Sequence, residues 1–328
     1  MRRLQSRAFI DDPLDLVPKA GDLLEIAWPE SAARTDLHEE PAMILVTAAA
    51  GKTGRAVIAA LVTRGGAVRA FVRSAAHREA LIGLGATDVV IGALDDDAAL
   101  LRAMHETDAV YHICPNASPH EVAFADAVIA AAEAAEVPRL VYHSVLHPHV
   151  EVMPHHWAKM RVEEMLYSSE LDWTILQPTT YMQNILSELD RITTDGVYRV
   201  PYPVETPLSL IDLGDVAEVA AKVLTEAGHA NATYELAGTS PLNPSDVAEA
   251  FAAALGREVR AEAESVKAWQ ARARIDGMDE HAVTALTKMF VSYAGDGLKG
   301  NPNVLRWLLG REPVTLAQFA ASCRQRVP

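Results

Sequence analysis

Thr47-Ala48-Ala49-Ala50-Gly51-Lys52-Thr53-Gly54 follows an apolar run, Met43-Ile44-Leu45-Val46, and opens a helical pattern. Gly51 lets backbone approach a diphosphate without a Cβ in the way. Gly54 lets the helix lie close to the sheet, and the helix amino end offers unpaired N–H groups to phosphate oxygens. The first glycine of the usual dinucleotide turn is replaced by Ala48, so this turn must accept a methyl group. About twenty residues on, the second apolar run ends at Arg73, where a carboxylate would hold a ribose 2′-hydroxyl but a guanidinium suits a 2′-phosphate. The expected cofactor is therefore NADP (NADPH), held by Thr47, Ala48, Gly51, Lys52, Thr53, Gly54 and Arg73. Lys52, His77 and Arg78 add positive charge. The plainer alternatives are an ordinary strand–helix turn and a surface arginine.

A second group could carry proton chemistry. His155 and Lys159 are four apart, so on a helix both can point to one cleft. Ser144 ends the fifth strand-like run, where a hydroxyl can reach a ligand at the carboxyl edge of a parallel sheet. Tyr181 follows the sixth run and, with Asn184, is expected to line the same cleft. It is a reserve proton donor or an aromatic packing group. Cys114 ends the fourth run beside Pro115, close to the expected nicotinamide, either as a small buried hydrophobe or as a reactive thiol. Five of the twelve histidines lie between 143 and 156. No cysteine or carboxylate pattern completes a known first shell around them, so a polar cleft rim is expected and no metal.

The elements that must position these residues alternate from Met43 onward. Strand-like runs are 44–47, 68–72, 88–91, 109–113, 140–143 and 173–176. Helix-like runs are 53–64, 75–84, 97–104, 119–135 and 154–169. Continuously apolar strands separated by helices imply a parallel sheet covered on both faces, an α/β doubly wound Rossmann arrangement. Beyond about residue 185 the rhythm changes. Asp212 can cap a helix to Glu226, and Asn243-Pro244 can open another to Leu255. Short strands are expected at 233–237 and 258–261, and helices at 265–274, 279–290 and 315–326. The expected organisation is an N-terminal extension over 1–42, a cofactor-binding core over 43–184, and a smaller, mostly helical lobe over 185–328 with some segments returning to the sheet. The extension holds four prolines and no sustained periodicity, with a short helix or hairpin over 14–28. It reads either as an arm or as the product of a misplaced start.

Bulk properties narrow the classes. Half of the 328 residues are hydrophobic, enough for a sizeable core. Lys+Arg number 29 against 44 Asp+Glu, a formal charge of −15, which opposes nucleic acid as the main partner. Two distant cysteines, no apolar run of membrane length and no secretion signal point to the cytoplasm.

The stretches Ile44–Gly54, Ala67–Ser74, Val141-Tyr142-His143-Ser144-Val145, Pro154-His155-His156-Trp157-Ala158-Lys159, Leu171–Pro178 with Tyr181-Met182-Gln183-Asn184, and Gly300-Asn301-Pro302-Asn303-Val304-Leu305 with Leu309-Gly310-Arg311 resemble the NmrA-like branch of the atypical short-chain dehydrogenases/reductases. The resemblance covers about 43–328. It implies an NADP-preferring Rossmann domain whose cleft against a variable lobe holds the nicotinamide. Some members of the family reduce quinones, ketones or unsaturated phenolics, and others sense NAD(P) through protein partners. The sequence departs from the general pattern at Ala48 and at Ala93, where many relatives place an Asp near the adenine. Orthodox short-chain reductases carry Tyr-x-x-x-Lys, whereas His155-x-x-x-Lys159 stands here. Lys159 would still orient the nicotinamide ribose, and Lys159 or His155 would supply the proton, with Ser144 and Tyr181 beside them. The expected function is an NADPH-dependent reductase of a small carbonyl, quinone or activated alkene. The alternative is a non-catalytic NAD(P) redox sensor with a protein partner.

Overall fold

Six strands and five helices alternate along the first part of the chain in a computed structural model that describes residues 42–324. They are β1 (Met43–Val46), α1 (Lys52–Thr63), β2 (Ala67–Val72), α2 (Arg78–Gly83), β3 (Asp88–Ile91), α3 (Asp97–Met104), β4 (Ala109–His112), α4 (Glu121–Ala134), β5 (Arg139–His143), α5 (Pro154–Tyr167) and β6 (Asp172–Pro178). The extension assigned to 1–42 lies outside the described residues, apart from its last residue. The helical run expected over 75–84 is divided. The Ser74 side chain accepts from the Ala76 amide, and a 3₁₀ turn over Ala75–His77 precedes α2.

Further along come β7 (Thr180–Tyr181), α6 (Leu189–Asp195), β8 (Val197–Val200), β9 (Leu210–Ile211), α7 (Leu213–Thr225), β10 (Ala232–Leu236), α8 (Pro244–Leu255), β11 (Arg260–Ala263), α9 (Val266–Ile275), α10 (Glu280–Asp296), α11 (Asn303–Leu309) and α12 (Leu316–Arg324). Local chemistry starts and stops several of them as expected. Asp212 accepts from Gly214 to cap α7, and Asn243 and Asp246 form a capping box at α8 with Pro244 at its first position. Gly256 ends α8 in the left-handed region. The elements that periodicity misses are short or irregular: β7, β8, β9, α6, α11 and a 3₁₀ segment over Met182–Glu188.

The seven-stranded sheet has the order β10-β6-β5-β4-β1-β2-β3, and all neighbours are parallel. Chain direction across the sheet reverses between β1 and β4, the switch point where ligands bind in such folds. One apolar layer joins a face of the sheet to α1, α7 and α11 through residues such as Ile58, Val216 and Leu305. Another joins the opposite face to α3, α4 and α5 through Leu100, Val128 and Val162. A third cluster, with Phe251, Tyr293 and Phe319, packs the C-terminal elements together. No helix among the described residues is long and apolar enough to cross a membrane.

Candidate active site

The β1–α1 turn is shaped by close backbone approach. A Cβ on Gly54 would lie 2.8 Å from both the Ala48 carbonyl oxygen and the Ala49 Cα, so this position excludes every side chain. Ala48 occupies the left-handed region at φ 43°, where glycine is otherwise favoured, and its carbonyl accepts from the Gly51 amide at 3.0 Å. The methyl group is therefore accommodated at the expense of backbone strain. Gly51 caps α1 without a side-chain partner, and the first turn of the helix has no acidic residue. The helix amino end is thus left to an anion.

Gly51, Lys52, Thr53 and Gly54 line one end of a cavity of about 680 Å³ at the carboxyl edge of the sheet. Lys52 spans its mouth, donating to Asn184 Oδ1 at 2.7 Å and lying 5.4 Å from the Tyr181 ring centre. Burial lowers its pKa. Cys114, Ser144, His155, Lys159 and Tyr181 line the same cavity, as do Trp269, Met289 and Phe290 from the C-terminal elements. Ten of the expected site residues therefore come together. Thr47 and Arg73 do not line this cavity. Thr47 is buried, and its hydroxyl ties β1 to β4 through His112 Nδ1 and the Ile113 backbone. Arg73 is exposed at the end of β2, with no hydrogen bond or ion pair among the described residues, and remains available to a phosphate.

The far end is built from side chains. Lys159 donates to Glu121 Oε1 at 2.9 Å and to the His143 carbonyl at 3.0 Å. Glu121 is 4 % exposed and also accepts from the Tyr142 hydroxyl at 2.7 Å. These donors outweigh the cost of burial and hold the Glu121 carboxyl below its usual range. Burial, and after it the same carboxylate, push the Cys114 thiol up to about 12, so Cys114 is a small buried group rather than a nucleophile. Ser144 donates to Glu163, whose carboxylate also takes both contacts from Gln177 at 2.9 Å. The Ser144 proton is thus committed, leaving lone pairs toward the cavity.

His155 sits one helical turn from Lys159. Burial, reinforced by the Lys159 charge, lowers it to about 4, and its Nδ1 is buried without a partner. The adjoining His156 is lowered to about 3 by burial, and its Nδ1–H donates to the His147 carbonyl at 3.2 Å. Neither ring is charged near neutral pH. Among the described residues no group of three metal-ligating side chains could hold an ion.

Glu121 and Tyr111 are the site groups that sequence reasoning missed, and His143 was expected only as one of the histidines of a polar cleft rim. Glu121 did carry a signal: it shares an i, i+4, i+7 row with Ala125 and Val128, a carboxylate on the apolar face of α4. Tyr111 sits inside a buried strand with no comparable mark.

The NmrA-like family model matches residues 40–318. An NAD(P)H azoreductase from Xenophilus azovorans is 30% identical over 85% of this chain and 96% of its own length. Quinone oxidoreductase 2 from Escherichia coli is 28% identical over 84% of this chain and 96% of its own. The crystal structure of the E. coli NADPH-dependent quinone oxidoreductase complexed with NADPH superposes with a TM-score of 0.77, at 27% identity, over 86% of this chain and 100% of that one. With its doubly wound sheet, its glycine turn and these matches over most of its length, the chain belongs to the NmrA-like family.

Proposed function

We propose that this protein is an NADPH-dependent reductase that transfers hydride to a small organic acceptor of the quinone, carbonyl or activated-alkene class. The observation that carries this reading is the continuity of the cavity. The uncapped amino end of α1 and the side chains of Trp269, Met289 and Phe290, suited to a flat apolar acceptor, line one and the same cavity. The residues at the α1 end fit a dinucleotide: Gly51 and Gly54 leave room for a diphosphate, the α1 amides face it, and Arg73 is uncommitted. When bound, the cofactor supplies the hydride. The chain would supply binding, orientation and exclusion of water. The relatives' activities, an NAD(P)H azoreductase and a quinone oxidoreductase, support the same class.

Lys159 would serve this site as a ribose-facing donor. Two of its three protons go to Glu121 and the His143 carbonyl, which fix the ammonium group at the cavity wall and leave one proton for a ligand hydroxyl. Lys159→Ala should then lower NADPH affinity and kcat together.

The test is anaerobic stopped-flow oxidation of bound NADPH against quinones, azo compounds, carbonyls and conjugated enones. Oxidation by at least one acceptor, faster with NADPH than with NADH, is expected. If NADPH binds but no acceptor oxidises it, the reductase reading fails and a nucleotide sensor with a protein partner takes its place.

A further inference from the structure

His143, at the end of β5, bridges two tyrosines. Its Nδ1 lies 2.5 Å from the Tyr111 hydroxyl and its Nε2 lies 2.5 Å from the Tyr181 hydroxyl. Tyr111 is fully buried, and His143 is 5 % exposed. Tyr181 is partly exposed and lines the cavity. Burial first, and the Lys159 charge second, lower His143 to about 3. The ring is therefore neutral and carries a single N–H proton.

That single proton has a determined place. The contact with His143 is the only hydrogen bond of the Tyr111 hydroxyl among the described residues. If Nδ1 carried the proton, it would donate to the Tyr111 oxygen and leave the Tyr111 proton buried and unpaired. The opposite arrangement satisfies both groups: Tyr111 donates to Nδ1, and the ring proton sits on Nε2. Nε2–H must then donate to the Tyr181 oxygen. The Tyr181 proton, displaced from that contact, is left to point elsewhere. The Thr53 hydroxyl lies beside Tyr181 Oη, and the remaining direction is the cavity.

We infer that Tyr181 is the proton donor of the proposed reduction, and that Tyr111 and His143 are positioning residues that aim its hydroxyl by locking one imidazole tautomer. The inference rests on the reductase reading. As hydride from NADPH reaches the acceptor, the Tyr181 O–H bond breaks and its proton passes to the acceptor atom that gains charge. The phenolate left behind is held by His143 Nε2–H and regains a proton from water once the product leaves. The balance is acceptor, NADPH and one solvent proton to reduced acceptor and NADP⁺. Burial pushes the Tyr181 hydroxyl well above its ordinary value, so between turnovers it is a protonated donor rather than a base. Tyr181 thereby fills the role that the missing tyrosine of Tyr-x-x-x-Lys leaves open, from β7 rather than from α5.

The test has two arms. ¹⁵N NMR of the histidine-labelled full chain reads the tautomer without any turnover. The expected result is an Nε2–H imidazole for His143, with Tyr111→Phe moving the proton toward Nδ1. An Nδ1–H ring in the wild type overturns the lock. In NADPH oxidation by a quinone, Tyr181→Phe should lower kcat by about 100-fold or more, with NADPH affinity nearly unchanged. Tyr111→Phe should lower kcat by about tenfold and leave KM alone. A Tyr181→Phe enzyme within about threefold of the wild type overturns the donor assignment. A wild type that oxidises no NADPH overturns the proposed function and the donor role with it, and is distinguished by an intact Nε2–H signal.

Discussion

At the α1 end of the cavity the inward-facing groups belong to four consecutive residues, Gly51 to Gly54, and much of what they offer is backbone. At the second end His143 and Lys159 line the cavity from β5 and α5, Glu121 of α4 is buried against Lys159, and Tyr181 of β7 stands between the two ends, beside Lys52. The first end is a local device. Its geometry follows from where a Cβ is absent, and it offers amides that cannot change charge. The second end depends on packing among separate elements, and nearly every group in it is held by another titratable group. The difference predicts that the second end should be the more vulnerable to mutation and to acid, and the first end the more specific in what it loses.

The largest effect should come from Glu121→Ala. It would leave the Lys159 ammonium, 13 % exposed, without its counter-charge. Breaking a buried pair in this way costs about 3–5 kcal/mol, measurable by urea unfolding. Adding Lys159→Met should recover part of the loss. If Glu121→Ala is as stable as the wild type, the far end does not depend on this pair.

Acid should act on the same end. His112, His143 and His156 are buried and lowered to about 4, 3 and 3, and the half-buried His155 to about 4, in each case chiefly by desolvation. Their folded-state values lie below the ordinary 6.5. Between pH 6.5 and 4 the unfolded chain therefore binds protons that the folded chain refuses, and stability falls as pH falls through that window. The buried Glu163, raised by desolvation, opposes this only weakly and at the acid side. The slope of unfolding free energy against pH should exceed two protons near pH 5.5, by about 1.4 kcal/mol per pH unit for each proton. A flat profile from pH 7 to 5 would show that these imidazoles are solvated.

Arg73→Ala probes the other end. Loss of a charge-assisted contact to a 2′-phosphate is worth about 1.5–3 kcal/mol, about a 10- to 150-fold loss of NADPH affinity, while NADH binding stays unchanged. Equal losses for both would remove Arg73 from the cofactor site. The smallest effect is expected for Ala48→Gly. Relief of the left-handed backbone is partly cancelled by the added freedom of the unfolded chain, for a net gain of about 0.5 kcal/mol, read as a slightly higher Tm. A loss of stability there would mean that the methyl group packs usefully.

Legibility in the sequence follows the same division. β3, α3 and α8 fall on the residues expected from the runs over 88–91 and 97–104 and from the Asn243-Pro244 start, because capping and periodicity act within a few residues. The glycine turn was legible for the same reason. Segments such as Met182–Glu188, Leu189–Asp195 and β8 were not, since their short spans carry no repeat and their ladder partners lie far off, β8 pairing with β11. Among the site residues, Lys159 was readable by its spacing from His155, but its attachment to Glu121 was not.

The amino-acid sequence alone determined the parallel doubly wound class, the dinucleotide turn, the arginine at the end of β2 and the neighbourhood of the second strand-edge cluster, because each depends on residue type at fixed local spacing. Only the tertiary structure decided that Ser144 gives its proton to Glu163, that Thr47 turns inward, and that Tyr111, His143 and Tyr181 meet in one line. Those contacts join residues 19, 65, 32 and 38 positions apart. Where a hydroxyl sends its proton is set by the nearest acceptor in space, and that acceptor is chosen by the packing of β4, β5 and α5 rather than by any neighbour along the chain.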